Sequence, residues 1–405
     1  MPSLLSVIQL LRVFLFVLLV VCYAQEAEVQ AQRRRTPRPP ARTHSNSGKI
    51  AKKGCNDRCG DVSIPFPFGM GASECYYNPY YEIKCNYSAS PPVPWLEALV
   101  IGNETHVFLK QKMKKFDVLE ITEENIRVNM VASVSCDLNS TTNGTFGTEY
   151  ITYFPVSYSL NKLTVIGCDI YGSVRVMNSP FNQVHKKMPK KESFLSSSVC
   201  MSLCVGSNIS TPSRCAGYAC CSTSIPEGTY IYSVSTTRVS QSTLGSSFPC
   251  NHAFVADQNF SGVDELLWSR EDALVPVVLD WAMHDYDTCE EAAQKNYSMN
   301  DACGRNTACV DSHNGPGYRC KCSKGYDGNP YLLHGCQDVD ECKESQICGS
   351  KEVICTNTEG NYNCSCSPGK IMRIGKVGYY CMSPLVQVQP TPLEARSKLG
   401  MAVFL

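Results

Sequence analysis

The sequence predicts a β-rich, disulfide-stapled ectodomain of several parts: an N-terminal cysteine-rich region followed by two small tandem modules. Three observations predict it. First, 405 residues exceed one average domain, and 25 cysteines are not sustained as free thiols or pairs in a reducing compartment, so the chain reads as secreted or outward-facing. Second, once Cys22 is assigned to a cleaved leader, twelve cysteines fall between Cys55 and Cys250 and twelve from Cys289 onward. Both blocks are even, which permits complete pairing within each and predicts a boundary between them. Third, the apolar residues between the cysteines come in short runs, several of which alternate as half-buried strands do. The 37 basic and 37 acidic residues cancel, so no global field argues for nucleic acid or an anionic membrane as partner.

In chain order, Arg12 precedes the apolar run Val13 to Val21, and Cys22-Tyr23-Ala24 places small residues where a signal peptidase inspects them. Residues 1–24 therefore read as a signal peptide cleaved after Ala24; the run is shorter than the roughly 20 residues a membrane span needs. Residues 25–54, with Arg33-Arg34-Arg35, Pro37, Pro39 and Pro40 and almost no large apolar side chain, read as a disordered basic linker. Ordered sequence is expected from Cys55. The stretch Ile64-Pro65-Phe66-Pro67-Phe68-Gly69 is expected to be extended, because proline at alternate positions forbids helix. Phe116 to Ile121, Ile126 to Met130, Tyr150 to Phe154 and Leu163 to Ile166 read as strands, and Cys289 to Gln294 as one or two helical turns.

The last cysteines carry the strongest signal. Asp338-Val339-Asp340-Glu341-Cys342 leads through Cys348 to Cys355-Thr356-Asn357-Thr358-Glu359-Gly360-Asn361-Tyr362-Asn363-Cys364-Ser365-Cys366 and closes at Cys381. Six cysteines in so short a span, with no apolar run to build a core, describe a module held by covalent bonds. Acidic side chains before the first cysteine and Asn357-Thr358 after the third supply hard oxygen donors of the kind that suit calcium. Residues 338–381 strongly resemble a calcium-binding EGF-like domain, and Cys289, Cys303, Cys309, Cys320, Cys322 and Cys336 resemble a first EGF-like domain over residues 289–336.

Spacing alone leaves fifteen pairings open among six cysteines. The resemblance implies Cys289–Cys309, Cys303–Cys320 and Cys322–Cys336, then Cys342–Cys355, Cys348–Cys364 and Cys366–Cys381. Each such loop stabilises by about 3 kcal/mol through the unfolded state on the chain-entropy account. The resemblance also implies calcium ligation by the side chains of Asp338, Glu341 and Asn357 and the carbonyls of Val339, Thr358 and Asn361. Only Gln337 separates Cys336 from Asp338, so an ion there is expected to stiffen the junction rather than to catalyse.

Upstream, Cys55-Asn56-Asp57-Arg58-Cys59-Gly60 followed by Ile64 to Gly69 is similar to the galacturonan-binding domain of plant wall-associated receptor kinases, with Phe66 where tyrosine is usual. Gly167-Cys168-Asp169, Cys215 to Cys221, Ile225-Pro226-Glu227-Gly228, Cys250 to Val255 and Val275 to Trp281 follow in the order of that family's extracellular region. The resemblance covers about residues 55 to 381 and makes 55–288 a galacturonan-binding, cysteine-rich region. It implies binding of pectic polysaccharide or oligogalacturonide, with cell-wall or receptor proteins as further partners, and an extracellular, cell-wall location. Residues 382–405 read as a juxtamembrane linker and the start of a truncated span, so the chain is expected to be released unless it continues beyond residue 405.

Other chemistries are weighed on their residues. Cys55/Cys59 and Cys200/Cys204 have zinc-ligand spacing, but an oxidising compartment favours disulfides, and adjacent Cys220 and Cys221 are expected to bond different partners. No nucleophile elbow, His-Glu-x-x-His, phosphate loop or kinase signature is present, and His252 reads as structural. Glu123 and Glu124, if on a strand, face opposite ways and cannot flank one glycosidic bond. No catalytic activity is expected; the alternatives are a secreted EGF-like protein that binds a protein partner, and a carbohydrate-active enzyme. Two lysine clusters, Lys110, Lys112, Lys114 and Lys115, and Lys186, Lys187, Lys190 and Lys191, are candidate contacts for a polyanionic sugar. Eight glycosylation acceptors, Asn86, Asn103, Asn139, Asn143, Asn208, Asn259, Asn296 and Asn363, are expected at the surface.

Overall fold

A computed structural model describes residues 50–101, 111–135, 146–177, 194–204, 215–238, 250–267, 273–294, 302–344, 347–375 and 378–384. The signal-peptide reading, nearly all of the linker and all but the first residues of the C-terminal tail lie outside them. Strand far outweighs helix in the described chain. Its strands are β1 (Arg58–Cys59), β2 (Val62–Ser63), β3 (Lys84–Asn86), β4 (Val93–Ile101), β5 (Gln111–Ile121), β6 (Asn125–Val131), β7 (Ser133–Ser135), β8 (Phe146–Val156), β9 (Asn161–Ile166), β10 (Ile170–Met177), β11 (Phe194–Ser202), β12 (Cys220–Ser224), β13 (Thr229–Arg238), β14 (Asn251–Asp257) and β15 (Leu274–Asp280), followed by four short hairpins.

Nine strands form one sheet in the order β11-β10-β13-β8-β15-β6-β5-β4-β3, and a further pairing of β8 with β4 closes β4-β5-β6-β15-β8 into a ring. A second sheet runs β12-β9-β14-β7. Alternation explains the strands locally: along β6, Ile126, Val128 and Met130 are buried while their neighbours are half-exposed. β15 is buried almost throughout, as its continuous apolar run requires, and Pro276 is accommodated opposite Asn129 of β6. The four runs read as strands are strands, and Cys289–Gln294 is a short helix.

An aromatic cluster centres the main core. Phe68 meets Tyr81, Trp281 and Phe154 at ring-centroid distances of 5.2, 5.4 and 5.8 Å, and Tyr81 donates its hydroxyl hydrogen bond to the Ala282 carbonyl at 2.6 Å. Phe66 is buried too, so the phenylalanine at the usual tyrosine position is a core residue. The Ile64–Gly69 stretch is not extended throughout: it turns at Phe66–Pro67, a cis peptide, and Phe66 and Phe68 on either side of Pro67 are both buried.

Order also begins before Cys55. The Ile50 carbonyl accepts hydrogen bonds from Phe66 N at 2.9 Å and from Asn329 Nδ2 at 2.7 Å, and Ala51 is buried. The end of the basic linker is thus part of the fold, because its backbone satisfies donors that the Pro-rich turn leaves free.

The even cysteine blocks do not mark a packing boundary. Met283 and Tyr318 exchange backbone hydrogen bonds at 2.8 and 3.0 Å, Tyr331 packs on Trp281 at 5.5 Å, and Ala302, Cys303, Tyr318, Cys320 and Tyr331 belong to the same core cluster as Phe68 and Val128. The disulfides between described residues stay within the blocks while hydrophobic burial crosses between them. The last module has only a small core of its own, Cys348, Val353 and Cys381.

Candidate functional site

Every described cysteine is in a disulfide. Cys55–Cys75, Cys59–Cys85, Cys168–Cys204, Cys200–Cys221 and Cys215–Cys220 staple the first block, so Cys55, Cys59, Cys200 and Cys204 are spoken for as sulfur ligands, and Cys220 and Cys221 bond different partners. Downstream the bonds are Cys289–Cys309, Cys303–Cys320, Cys322–Cys336, Cys342–Cys355, Cys348–Cys364 and Cys366–Cys381. The Cys355 and Cys364 strands pair as the hairpin Ile354–Thr358 with Asn361–Ser365, which turns at Glu359-Gly360.

That hairpin and the intermodule segment build the candidate metal site. Gln337 and Asp338 pair as a strand with Asp327 and Tyr326 of the preceding module, and Val339 N donates to the Gly325 carbonyl at 2.9 Å. Asp338 is therefore anchored on the first module while its side chain faces the second. Its carboxylate accepts from Asn357 Nδ2 at 2.7 Å and from Gly360 N at 2.6 Å. Thr358 Oγ1 donates to the Asn361 carbonyl at 2.8 Å, bringing those two residues together at the turn. Glu341 begins a short 3-10 turn, and its Oε2, like Asp340 Oδ1, is buried without a hydrogen-bond partner.

Buried carboxylate oxygens without donors are costly unless a cation compensates them. Asp338, Asn357, Thr358, Asn361 and Glu341 fit a calcium site on this ground: the donor set is all oxygen once the Asn357 amide is turned to present Oδ1, and Glu341 and neighbouring Asp340 each carry a buried carboxylate oxygen without a hydrogen-bond donor. Asp340 was not among the ligands read from the sequence. Its place beside Glu341, just before Cys342, is the only sequence signal; that one of its oxygens is buried without a donor while the other lies 3.5 Å from Lys343 Nζ is a tertiary matter. Among the described residues no group of three or more His, Cys, Asp or Glu side chains gathers as a metal cluster, as expected where an asparagine and carbonyls supply much of the shell.

The polysaccharide candidates fare differently. Lys186, Lys187, Lys190, Lys191 and Lys110 lie outside the described residues, and so does the side chain of Lys112. Lys114 pairs in register with Ala98 and Lys115 with Glu97. Successive residues of a strand face opposite ways, so Lys114 and Lys115 cannot act as one patch; the sequence cluster is divided by the sheet. Lys115 is exposed on the outer face, and Lys114 shares the face of buried Phe116.

Asn86, Asn259 and Asn363 are exposed, and the other five glycosylation acceptors lie outside the described residues. His252 is fully buried in β14. Glu123 and Glu124 sit in the bend between β5 and β6, not on a strand as assumed. Glu123 is exposed, whereas Glu124 ties the β region to the first module through Lys321 Nζ at 2.9 Å and Arg319 at 3.9 Å. The Lys321 hydrogen bond, foremost, holds the Glu124 carboxyl below its ordinary pKa.

Two family models match at the places built above. Residues 55–132 match the model described as wall-associated receptor kinase galacturonan-binding, and residues 338–381 match the calcium-binding EGF domain. The chain is an extracellular region of the wall-associated receptor kinase type. Wall-associated receptor kinase 2 of Arabidopsis thaliana is 30% identical over 325 residues, an alignment covering 78% of this chain and 39% of the relative. Wall-associated receptor kinase 5 of the same plant is 31% identical over 328 residues, covering 78% and 38%, and wall-associated receptor kinase-like 6 is 30% identical over 341 residues, covering 76% and 48%. The chain thus spans less than half the length of these curated relatives. Both matched models describe binding modules of such an ectodomain, and neither is a kinase. Among the described residues no helix is long and apolar enough to cross a membrane.

Proposed function

We propose that this wall-associated-kinase-type ectodomain is a non-catalytic, extracellular binding protein of the cell wall that holds acidic pectic polysaccharide on its β region and calcium at the junction of its two EGF-like modules. The observation that carries the reading is the junction itself. Asp338 is fixed to the first module by strand pairing and held by Asn357 and Gly360 of the second, and Asp340 and Glu341, which follow in the chain, each bury one carboxylate oxygen that has no hydrogen-bond donor. Calcium, when bound, supplies positive charge for these carboxylates beyond the one Lys343 ammonium that lies 3.5 Å from Asp340 Oδ2. The residues do the rest: Val339 keeps the segment on Gly325, Thr358 and Asn361 close the hairpin, and Asn357 reaches across to Asp338. A site whose donors come from both sides of a linker opposes bending there, so its role is mechanical.

Limited proteolysis of the full chain with and without calcium tests it. Calcium should slow cleavage near Gln337, and Asn357→Ala should abolish the difference; equal cleavage rates in the unchanged protein would falsify the stiffening role. Binding of oligogalacturonide, weakened by salt and by methyl-esterification, is the matching test for the polysaccharide.

A further inference from the structure

We infer that Trp95, Lys115 and Asp117, on the outer face of the β3-β4-β5 corner, form a subsite for one uronate residue of an acidic polysaccharide. The inference rests on the pectin-binding reading above and assigns it a place on the surface. Register puts the three side chains on one face: Trp95 of β4 lies opposite Asp117 of β5 and opposite Lys84 of the edge strand β3, and Glu97 lies opposite Lys115. The alternate residues, Leu96 and Phe116, pack into the core, so the face carrying Trp95 is the one turned to solvent.

The charges on this face are arranged unequally. Lys115 Nζ sits over the Trp95 ring at 4.3 Å from its centroid and Lys84 Nζ at 5.2 Å. Glu97, the carboxylate in register with Lys115, is bound instead to Lys84 at 3.1 Å. Among the described residues Lys115 therefore has no carboxylate within ion-pair distance; its partner is the indole face. An ammonium resting on an exposed aromatic ring keeps its full charge and is held there only weakly. It is a cation held in place and available.

A pyranose ring offers an apolar C–H face of about the width of an indole, hydroxyls at its rim and, in a uronate, one carboxylate. Stacked on Trp95, such a ring displaces the lysine head from the indole, and the long stem of Lys115 lets the ammonium follow to the carboxylate. Asp117, directly across from Trp95, is placed to accept a sugar hydroxyl. The arrangement selects an acidic sugar over a neutral one through a single charge, and over a small inorganic anion through the ring. A purely structural role for this cluster, with two lysine stems covering an indole, is the competing account. It predicts stability effects without binding effects.

The test is calorimetry of the full chain with oligogalacturonides of defined length at low ionic strength, with de-esterified and fully methyl-esterified forms compared. Trp95→Ala and Lys115→Ala should each weaken binding about tenfold or more, and Trp95→Tyr, which keeps a stacking ring if alanine disturbs the fold, should stay within about threefold of the unchanged protein. Lys115→Ala should also erase most of the preference for the de-esterified form. If the unchanged chain binds and Trp95→Ala binds equally well, the subsite is overturned while the pectin reading stands. If Lys115→Ala keeps the full preference for free carboxylate, the assignment of that lysine fails. If the unchanged chain binds no oligogalacturonide at all, the pectin reading falls and the subsite with it.

Discussion

Tyr326 of the first EGF-like module lies so close over Gly360 of the second that a β-carbon on Gly360 would come within 2.8 Å of its ring. Gly360 also has φ of 73°, which side-chain-bearing residues rarely adopt, and its carbonyl would be 2.0 Å from a β-carbon on Gly325. The modules meet backbone to backbone, with the Gly360 amide on Asp338.

Gly360→Ala should therefore loosen the junction without unfolding the β region. The backbone term alone costs about 1 kcal/mol, and displacement of Tyr326 adds to it. Hydrogen exchange is the measurement: faster exchange at Val339 and Gly360, with β6 and β15 unchanged, is expected.

Asn314 should be the residue on which docking of the first module most depends. It is fully buried, donates to Asp280 Oδ2 at 2.8 Å and Val156 O at 3.0 Å, and accepts from Gly228 N at 2.8 Å. Asn314→Ala takes one amide donor from the buried Asp280 carboxylate and leaves it with Asn125 Nδ2 at 2.6 Å and His313 Nε2 at 3.4 Å. A loss of about 2–4 kcal/mol is expected, read as a lower midpoint in denaturant unfolding.

Stability should fall with acid before the carboxylates protonate. Burial, foremost, lowers the His284 pKa to about 4, against the favourable effects of a Pro316 backbone hydrogen bond and Asp287. A depressed histidine binds fewer protons folded than unfolded, so its contribution is fully present above the unfolded value of about 6.5 and is lost as pH falls toward 4. The loss is on the order of 2–3 kcal/mol, and His284→Asn should flatten the thermal midpoint between those limits. Glu124, also depressed, adds a loss that begins as pH falls through the ordinary carboxylate value and is complete below its lower folded value.

Glu124→Gln should detach the outer side of the same interface. It removes the Lys321 pair at 2.9 Å and, among the described residues, leaves the buried Arg319 guanidinium with the Glu124 carbonyl at 3.5 Å and His313 at 3.1 Å as its hydrogen-bond partners. A partly exposed pair contributes little in itself, but the buried arginine raises the expected cost to about 1–2 kcal/mol. Combining it with Asn314→Ala should give less than the sum, because both act on one interface.

Much of this protein is written locally, and local features were legible in the chain. Cysteine spacing and the Asp338-to-Asn361 pattern describe a module held by short covalent loops and a turn, and strands such as Ile126 to Met130 show themselves by alternation, since each depends on residues a few positions apart. Distant pairings decided the rest. Only the fold brings Asn314 to Asp280, takes Tyr318 and Tyr331 into the core of the β region, ties the Ile50 carbonyl to Phe66 of the Pro-rich turn and buries Ala51. Only strand register separates Lys115 from Lys114 and sets it on Trp95 while Lys84 takes Glu97. A run of lysines in sequence is a statement about charge; which of them share a surface depends on the two-residue period of the strand and on which face the core claims, and burial is a property of the assembled sheet rather than of any segment in it.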